Sequence, residues 1–117
     1  MPETTPPSPI FTTELKRYPN DVVLITCHGK LVAGVENVLY TTVHDLIPTN
    51  KRIILDLADL QHTDSMGLGT LARLYVSAKS GGSSLELMHL SKQIRNLLGL
   101  THLFDVFTII GERGVKF

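Results

Sequence analysis

The sequence predicts a single α/β domain, an N-terminal β-hairpin followed by alternating helices and strands in one mixed sheet, with the helices mainly on one face. Three observations carry this reading. Two strand-like runs are separated by Pro19-Asn20-Asp21, residue types that supply the fixed or left-handed backbone angles of a tight turn. Beyond them, stretches with apolar residues at helical spacing alternate with unbroken β-branched runs, and that order implies parallel strands joined by crossovers. The 117 residues allow one hydrophobic core and leave no room for a second domain beside it.

Each element has its own signal. Residues 1–9 carry Pro2, Pro6, Pro7 and Pro9 and are expected to form a disordered tail, leaving 10–117 as the domain. Ile10 to Tyr18 has a weak strand pattern, and Val22 to Cys27 reads as a buried second strand ended by Gly29. Val35, Val38, Leu39, Val43 and Leu46 recur at three and four residues, one face of a helix between Val35 and Ile47 that Pro48 and Asn50 stop. Ile53 to Leu57 is nearly continuous in apolar residues, as in a strand flanked by others. A second helix is expected from Ser65 to Lys79, with Leu68, Leu71, Ala72, Tyr75 and Ala78 inward and Ser80-Gly81-Gly82 closing it. Leu85 to Met88 is a further strand, Ser91 caps a third helix containing Ile94, Leu97 and Leu98, and Val106 to Ile110 forms a short closing strand.

Composition narrows the function. Lysine plus arginine equal aspartate plus glutamate at 11 each, so no basic surplus exists to neutralise the phosphates of a nucleic acid or an anionic membrane. The apolar runs are strand-sized, well short of the roughly 20 residues that span a bilayer. Cys27 is the only cysteine, which excludes an internal disulfide and fits a reducing, cytoplasmic setting.

The informative segment is Gln61 to Gly69, placed after a parallel strand and running into a helix, where open α/β sheets usually carry their functional surfaces. Ser65 is expected to be the N-cap of that helix. Gly67 and Gly69 fall in its first turns, where each costs about 1 kcal/mol relative to alanine. Two readings follow. Either the glycines let the helix pack close to its sheet, or the turn is a contact surface with a modifiable hydroxyl at its centre. On the second reading, a long side chain at Gly67 should repel a partner while leaving the fold intact.

Asp64-Ser65-Met66-Gly67-Leu68, preceded by Ile53-Ile54-Leu55-Asp56-Leu57, resembles the Asp-Ser-x-Gly-Leu signature of STAS domains in bacterial anti-sigma factor antagonists. The resemblance runs on through Gly81-Gly82 and Leu97-Leu98-Gly99-Leu100 to Phe104, covering roughly Phe11 to Ile110. It implies a STAS fold and a signalling protein rather than an enzyme, with no cofactor. It implies that Ser65 is phosphorylated by an anti-sigma factor that is itself a serine kinase, and that a serine phosphatase reverses the modification. The unphosphorylated form would bind the anti-sigma factor and release sigma. The residues expected to meet the partner are Thr63, Asp64, Ser65, Met66, Gly67 and Leu68. The chain is expected to be a monomer or weak homodimer. Two departures stand out: Val32 follows Gly29-Lys30-Leu31 where many relatives carry aspartate, and Thr63 replaces the usual apolar residue before Asp64.

Other chemistry has less support. His28, His44, His62, His89 and His102 are scattered without metal-ligand spacing. Asp56 lies in an apolar strand and Asp59 in the loop expected after it, so both read as structural or solvated. No Gly-x-Ser-x-Gly elbow accompanies Ser65, no Lys and Ser/Thr follow Gly81-Gly82 as a phosphate loop requires, and Cys27 reads as a small core residue. The competing functions are a STAS scaffold subunit of a stress-signalling assembly and a small-ligand-binding STAS protein.

Overall fold

A computed structural model describes residues 10–112 and 116–117; the expected tail, 1–9, lies outside them. The chain folds in the order β1 (Phe11–Tyr18), β2 (Val22–Leu31), α1 (Glu36–His44), a 3₁₀ turn (Ile47–Thr49), β3 (Arg52–Thr63), α2 (Ser65–Ser80), β4 (Ser84–Met88), α3 (Lys92–Leu100) and β5 (Thr108–Ile109). The five strands lie in that order in one sheet. β1 pairs antiparallel with β2, and β2 through β5 are parallel. This is the mixed α/β architecture that the alternating pattern predicts.

The hairpin turns at Asn20 and Asp21, with φ of 67° and 59°, the left-handed angles these two residue types tolerate. The inward residues of the strands, among them Val23, Ile25, Cys27, Ile53, Leu55, Leu57 and Leu87, are fully buried. They form one core with Leu39 and Val43 of α1, Leu68, Leu71, Leu74 and Ala78 of α2, and Ile94 and Leu98 of α3. Each such leucine or isoleucine contributes about 1.5–3 kcal/mol by leaving water. Burial pushes the Cys27 thiol up to about 12, with Asp56 adding to the shift; Cys27 is a core residue. On the opposite face, Glu86 is buried and takes two hydrogen bonds from Arg52, at 2.8 and 2.7 Å. Arg52 also donates to the carbonyls of Lys116 and Phe117, and the Phe117 ring sits edge-on to Tyr18 at 4.9 Å.

Several boundaries move, each for a local reason. Gly29 does not end β2. With φ of 94° it sits where the β2–β3 register shifts, and a Cβ there would lie 2.0 Å from the Ile10 carbonyl oxygen. It is a bulge that lets the strand continue to Leu31. β3 therefore has a partner beyond Leu57 and runs on to Thr63, taking Asp59 out of the expected loop and into the strand. The first helix is shorter than the Val35 to Ile47 pattern: it ends at His44, and Pro48 is the second residue of a separate 3₁₀ turn, Ile47–Thr49, where its missing N–H costs nothing. Val38 is exposed rather than inward. On α2 the buried stripe includes Leu74 and Thr70, while Ala72 and Tyr75 are half-buried. Gly82, with φ of 80°, supplies the left-handed residue after α2. The closing strand contracts to Thr108–Ile109.

Among the described residues, no helix is long and apolar enough to cross a membrane.

Candidate functional site

The ends of β2 and β3 are joined by a small set of polar contacts around Asp64. β2 ends on the Leu31 carbonyl, which accepts a hydrogen bond from the buried Thr63 hydroxyl at 2.7 Å and from the Asp64 N–H at 3.3 Å. Asp64 is extended, with φ −109° and ψ −172°, so its side chain turns back over the first turn of α2. One carboxylate oxygen accepts from the Gly67 N–H at 3.0 Å, and the other accepts from the Ala33 N–H at 2.9 Å. One carboxylate thus caps α2 and anchors the loop after β2. Donation from Ala33, then from Gly67, holds the Asp64 carboxyl below its usual range.

This geometry corrects the expected cap. The N-cap is Asp64, and Ser65 is the first residue of α2. Aspartate caps as well as serine does, and the extended backbone of Asp64 makes it the cap. Ser65 is left exposed and has no part in closing the helix.

Gly67 is also reassigned. It is buried, and a Cβ at that position would lie 2.2 Å from both the Leu31 carbonyl oxygen and the Thr63 hydroxyl. The close packing of helix on sheet requires glycine there, so a long side chain would disrupt the fold rather than only repel a partner. At Gly69 a Cβ meets nothing within 4 Å, and Gly69 is exposed.

The six residues expected to meet a partner therefore divide. Ser65 and Met66 are exposed, Met66 at 51%, and Asp64 is half-buried. Thr63, Gly67 and Leu68 are interior and offer no side-chain surface. Beside the exposed ones lie residues the sequence reading did not select. A shallow groove beside Ser65 is lined by Met66, Gly69, Thr70 and Arg73 of α2 and by Glu36 and Asn37 of α1. The Arg73 guanidinium is held over the Tyr40 ring, 4.9 Å from its centre. The spacing 66, 69, 73 is one helix stripe, a signal present in the sequence but overshadowed by the motif. Val32, the departure noted in the sequence, is half-buried beside Ala33 in the anchored loop and brings no charge to the site.

No histidine takes part in the hydrogen bonds around Asp64 among the described residues. His28 bonds Asp59, His89 bonds Asp56 and His62 bonds Gln93. The His28 ring is held protonated to higher pH than usual, chiefly by its hydrogen bond to Asp59. No group of three potential ligands that could hold a metal ion occurs among the described residues.

The family model of the STAS domain matches residues 13–114. The fold is similar to that of an anti-sigma factor antagonist from Mycobacterium paratuberculosis (TM-score 0.77, 17% identity, covering 94% of this chain and 92% of that one). It is also similar to the unphosphorylated form of the Bacillus anti-sigma factor antagonist SpoIIAA (TM-score 0.72, 17% identity, covering 86% and 90%). The protein TM1081 of Thermotoga maritima is 26% identical, with a TM-score of 0.72 and coverage of 82% and 78%. With the family model spanning nearly its whole length, this chain belongs to the STAS domain family.

Proposed function

We propose that this protein is an anti-sigma factor antagonist whose Ser65 is the phosphorylated switch. In this reading the unphosphorylated turn binds an anti-sigma factor that is also a serine kinase. Phosphorylation of Ser65 breaks the complex, and a serine phosphatase restores it. The observation that carries the proposal is the position of Ser65. It is an exposed hydroxyl in the first turn of a helix whose cap is supplied by another residue. Modification there removes no structural bond, and a partner seated on Met66 and Gly69 would have to desolvate the added charge beside Asp64. The similarity to named antagonists supports the kind of partner.

The test is a titration against candidate anti-sigma kinases of the same genome, with and without ATP, and mass spectrometry of the product. Phosphate should be found on Ser65. Ser65→Ala should bind and stay insensitive to ATP, and Ser65→Asp should bind less tightly. Gly69→Arg should abolish binding without loss of stability, because the site has open space. Phosphate on another residue, or unchanged affinity in both Ser65→Asp and Gly69→Arg, would refute the proposal.

A further inference from the structure

β1 is one edge of the sheet and, among the described residues, pairs only with β2. Most of its length is exposed, including Leu15 at 43%. An exposed eight-residue edge with an apolar side chain at its middle is a pairing surface unless charge opposes it. The charges here oppose most pairings and favour one. We propose that two copies of this chain associate through β1, antiparallel, about a two-fold axis passing through Leu15.

The register follows from three constraints. First, the Lys30 N–H donates to the Ile10 carbonyl at 2.9 Å. Peptide groups alternate along a strand, so Phe11, Thr13, Leu15 and Arg17 turn theirs outward, and only these can bond a second strand. A two-fold pairing must therefore be centred on a residue, not between residues, which also keeps the helices of both copies on one face. Second, centring on Glu14 sets the two Glu14 side chains against each other, and centring on Lys16 does the same for lysine; like charges directly opposite are destabilising. Third, moving the centre to Arg17 brings Pro19, which has no N–H, inward to face Leu15 within the ladder. Centring on Leu15 meets the first two, leaves Pro19 only at the end of the ladder opposite Phe11, and, unlike centring on Thr13, pairs both glutamates with lysines. Leu15 meets Leu15, Thr13 meets Arg17, and Glu14 meets Lys16 twice by symmetry. Thr13-Glu14-Leu15-Lys16-Arg17 is self-complementary in this one register. The Ser65 turn lies two strands away at the end of β3, so both copies keep it uncovered. The inference stands without the proposed function.

Sedimentation equilibrium of the full chain at low salt over a wide concentration range tests it. The parent should show a monomer–dimer equilibrium that salt weakens. Lys16→Glu should weaken it about tenfold, since both cross-strand pairs turn repulsive. The double swap Glu14→Lys with Lys16→Glu should restore it, because opposite signs face each other again. In the same register Leu15→Cys should form an interchain disulfide under mild oxidation, and Thr12→Cys should not, since Thr12 faces Tyr18 of the other copy. A parent that remains monomeric at millimolar concentration, or a dimer that Lys16→Glu leaves unchanged or the swap fails to restore, would overturn the proposal.

Discussion

Gly67→Ala tests the account of the α2 N-terminus most directly, because two effects of opposite sign meet there. Alanine favours helix over glycine by about 1 kcal/mol, so on propensity alone the change stabilises. Against this, the new methyl would lie 2.2 Å from the Leu31 carbonyl oxygen and from the Thr63 hydroxyl, and 2.9 Å from Leu31 Cγ. Relief requires α2 to move off the sheet or Thr63 to rotate. Rotation gives up the buried 2.7 Å bond to Leu31, at about 1–3 kcal/mol, and the crowding costs about 1–3 kcal/mol more. The net expectation is a loss of about 1–5 kcal/mol, centred near 3, or a fall in Tm of about 10–20 °C for a domain of this size. Gly69→Ala is the internal control. Two residues further on, with nothing within 4 Å of its Cβ, it should gain about 0.4–1 kcal/mol. Urea unfolding of both variants gives the comparison. A Gly67→Ala protein as stable as the parent would refute the close approach of α2 to the ends of β2 and β3.

The other predictions follow from the same contacts. Ser65→Ala should change stability by less than about 0.5 kcal/mol, since Ser65 is exposed and Asp64 makes the cap; thermal unfolding checks it. Asp64 has a native pKa below its ordinary 3.8, so its stabilising effect is present above about pH 4 and lost as pH falls through the lowered native value. The stability gap between parent and Asp64→Asn should therefore close in acid, as measured by urea midpoints from neutral pH to pH 2. Arg52→Met leaves the buried Glu86 without its cation. Because Arg52 is 30% exposed, the loss should be near or below the lower end of the usual range for a broken buried pair, about 2–3 kcal/mol. Adding Glu86→Gln should recover part of that loss.

Much of this was legible in the sequence because the decisive patterns are local. Ile53 to Leu57 and Val22 to Cys27 are apolar enough to be strands in any context, and the Asn20-Asp21 turn carries its own geometry. What was missed depends on neighbours distant in sequence. Asp59, Gln61 and His62 carry no strand pattern; they are extended because the Gly29 bulge prolongs β2 alongside them. The burial of Gly67 depends on Leu31, and Ala33 accounts for half of what Asp64 does. The Asp-Ser-x-Gly motif lies at the turn from β3 into α2, and its residues divide there in a way the motif alone does not tell. Asp64 and Gly67 hold the turn to the sheet, and Ser65, Met66 and Gly69 face outward.

That division bears on how a switch at Ser65 could act without unfolding its carrier. A phosphate brings about −1.5 to −2 charges at neutral pH. In the free protein the first turn of α2 favours that charge, by about 0.3–1 kcal/mol for a surface site, while Glu36 across the groove repels it and Arg73 attracts it. These terms are screened by water, and the cap bond from Gly67 to Asp64 is untouched. The balance changes when a partner covers the groove. Water leaves, the same charges interact in a poorer dielectric, and the phosphate must be matched by the partner or carry a desolvation cost of several kcal/mol. Had Ser65 been the cap, phosphorylation would have rebuilt the helix terminus and coupled the signal to stability. With the cap on Asp64, a phosphate on Ser65 in the proposed switch would act on binding alone.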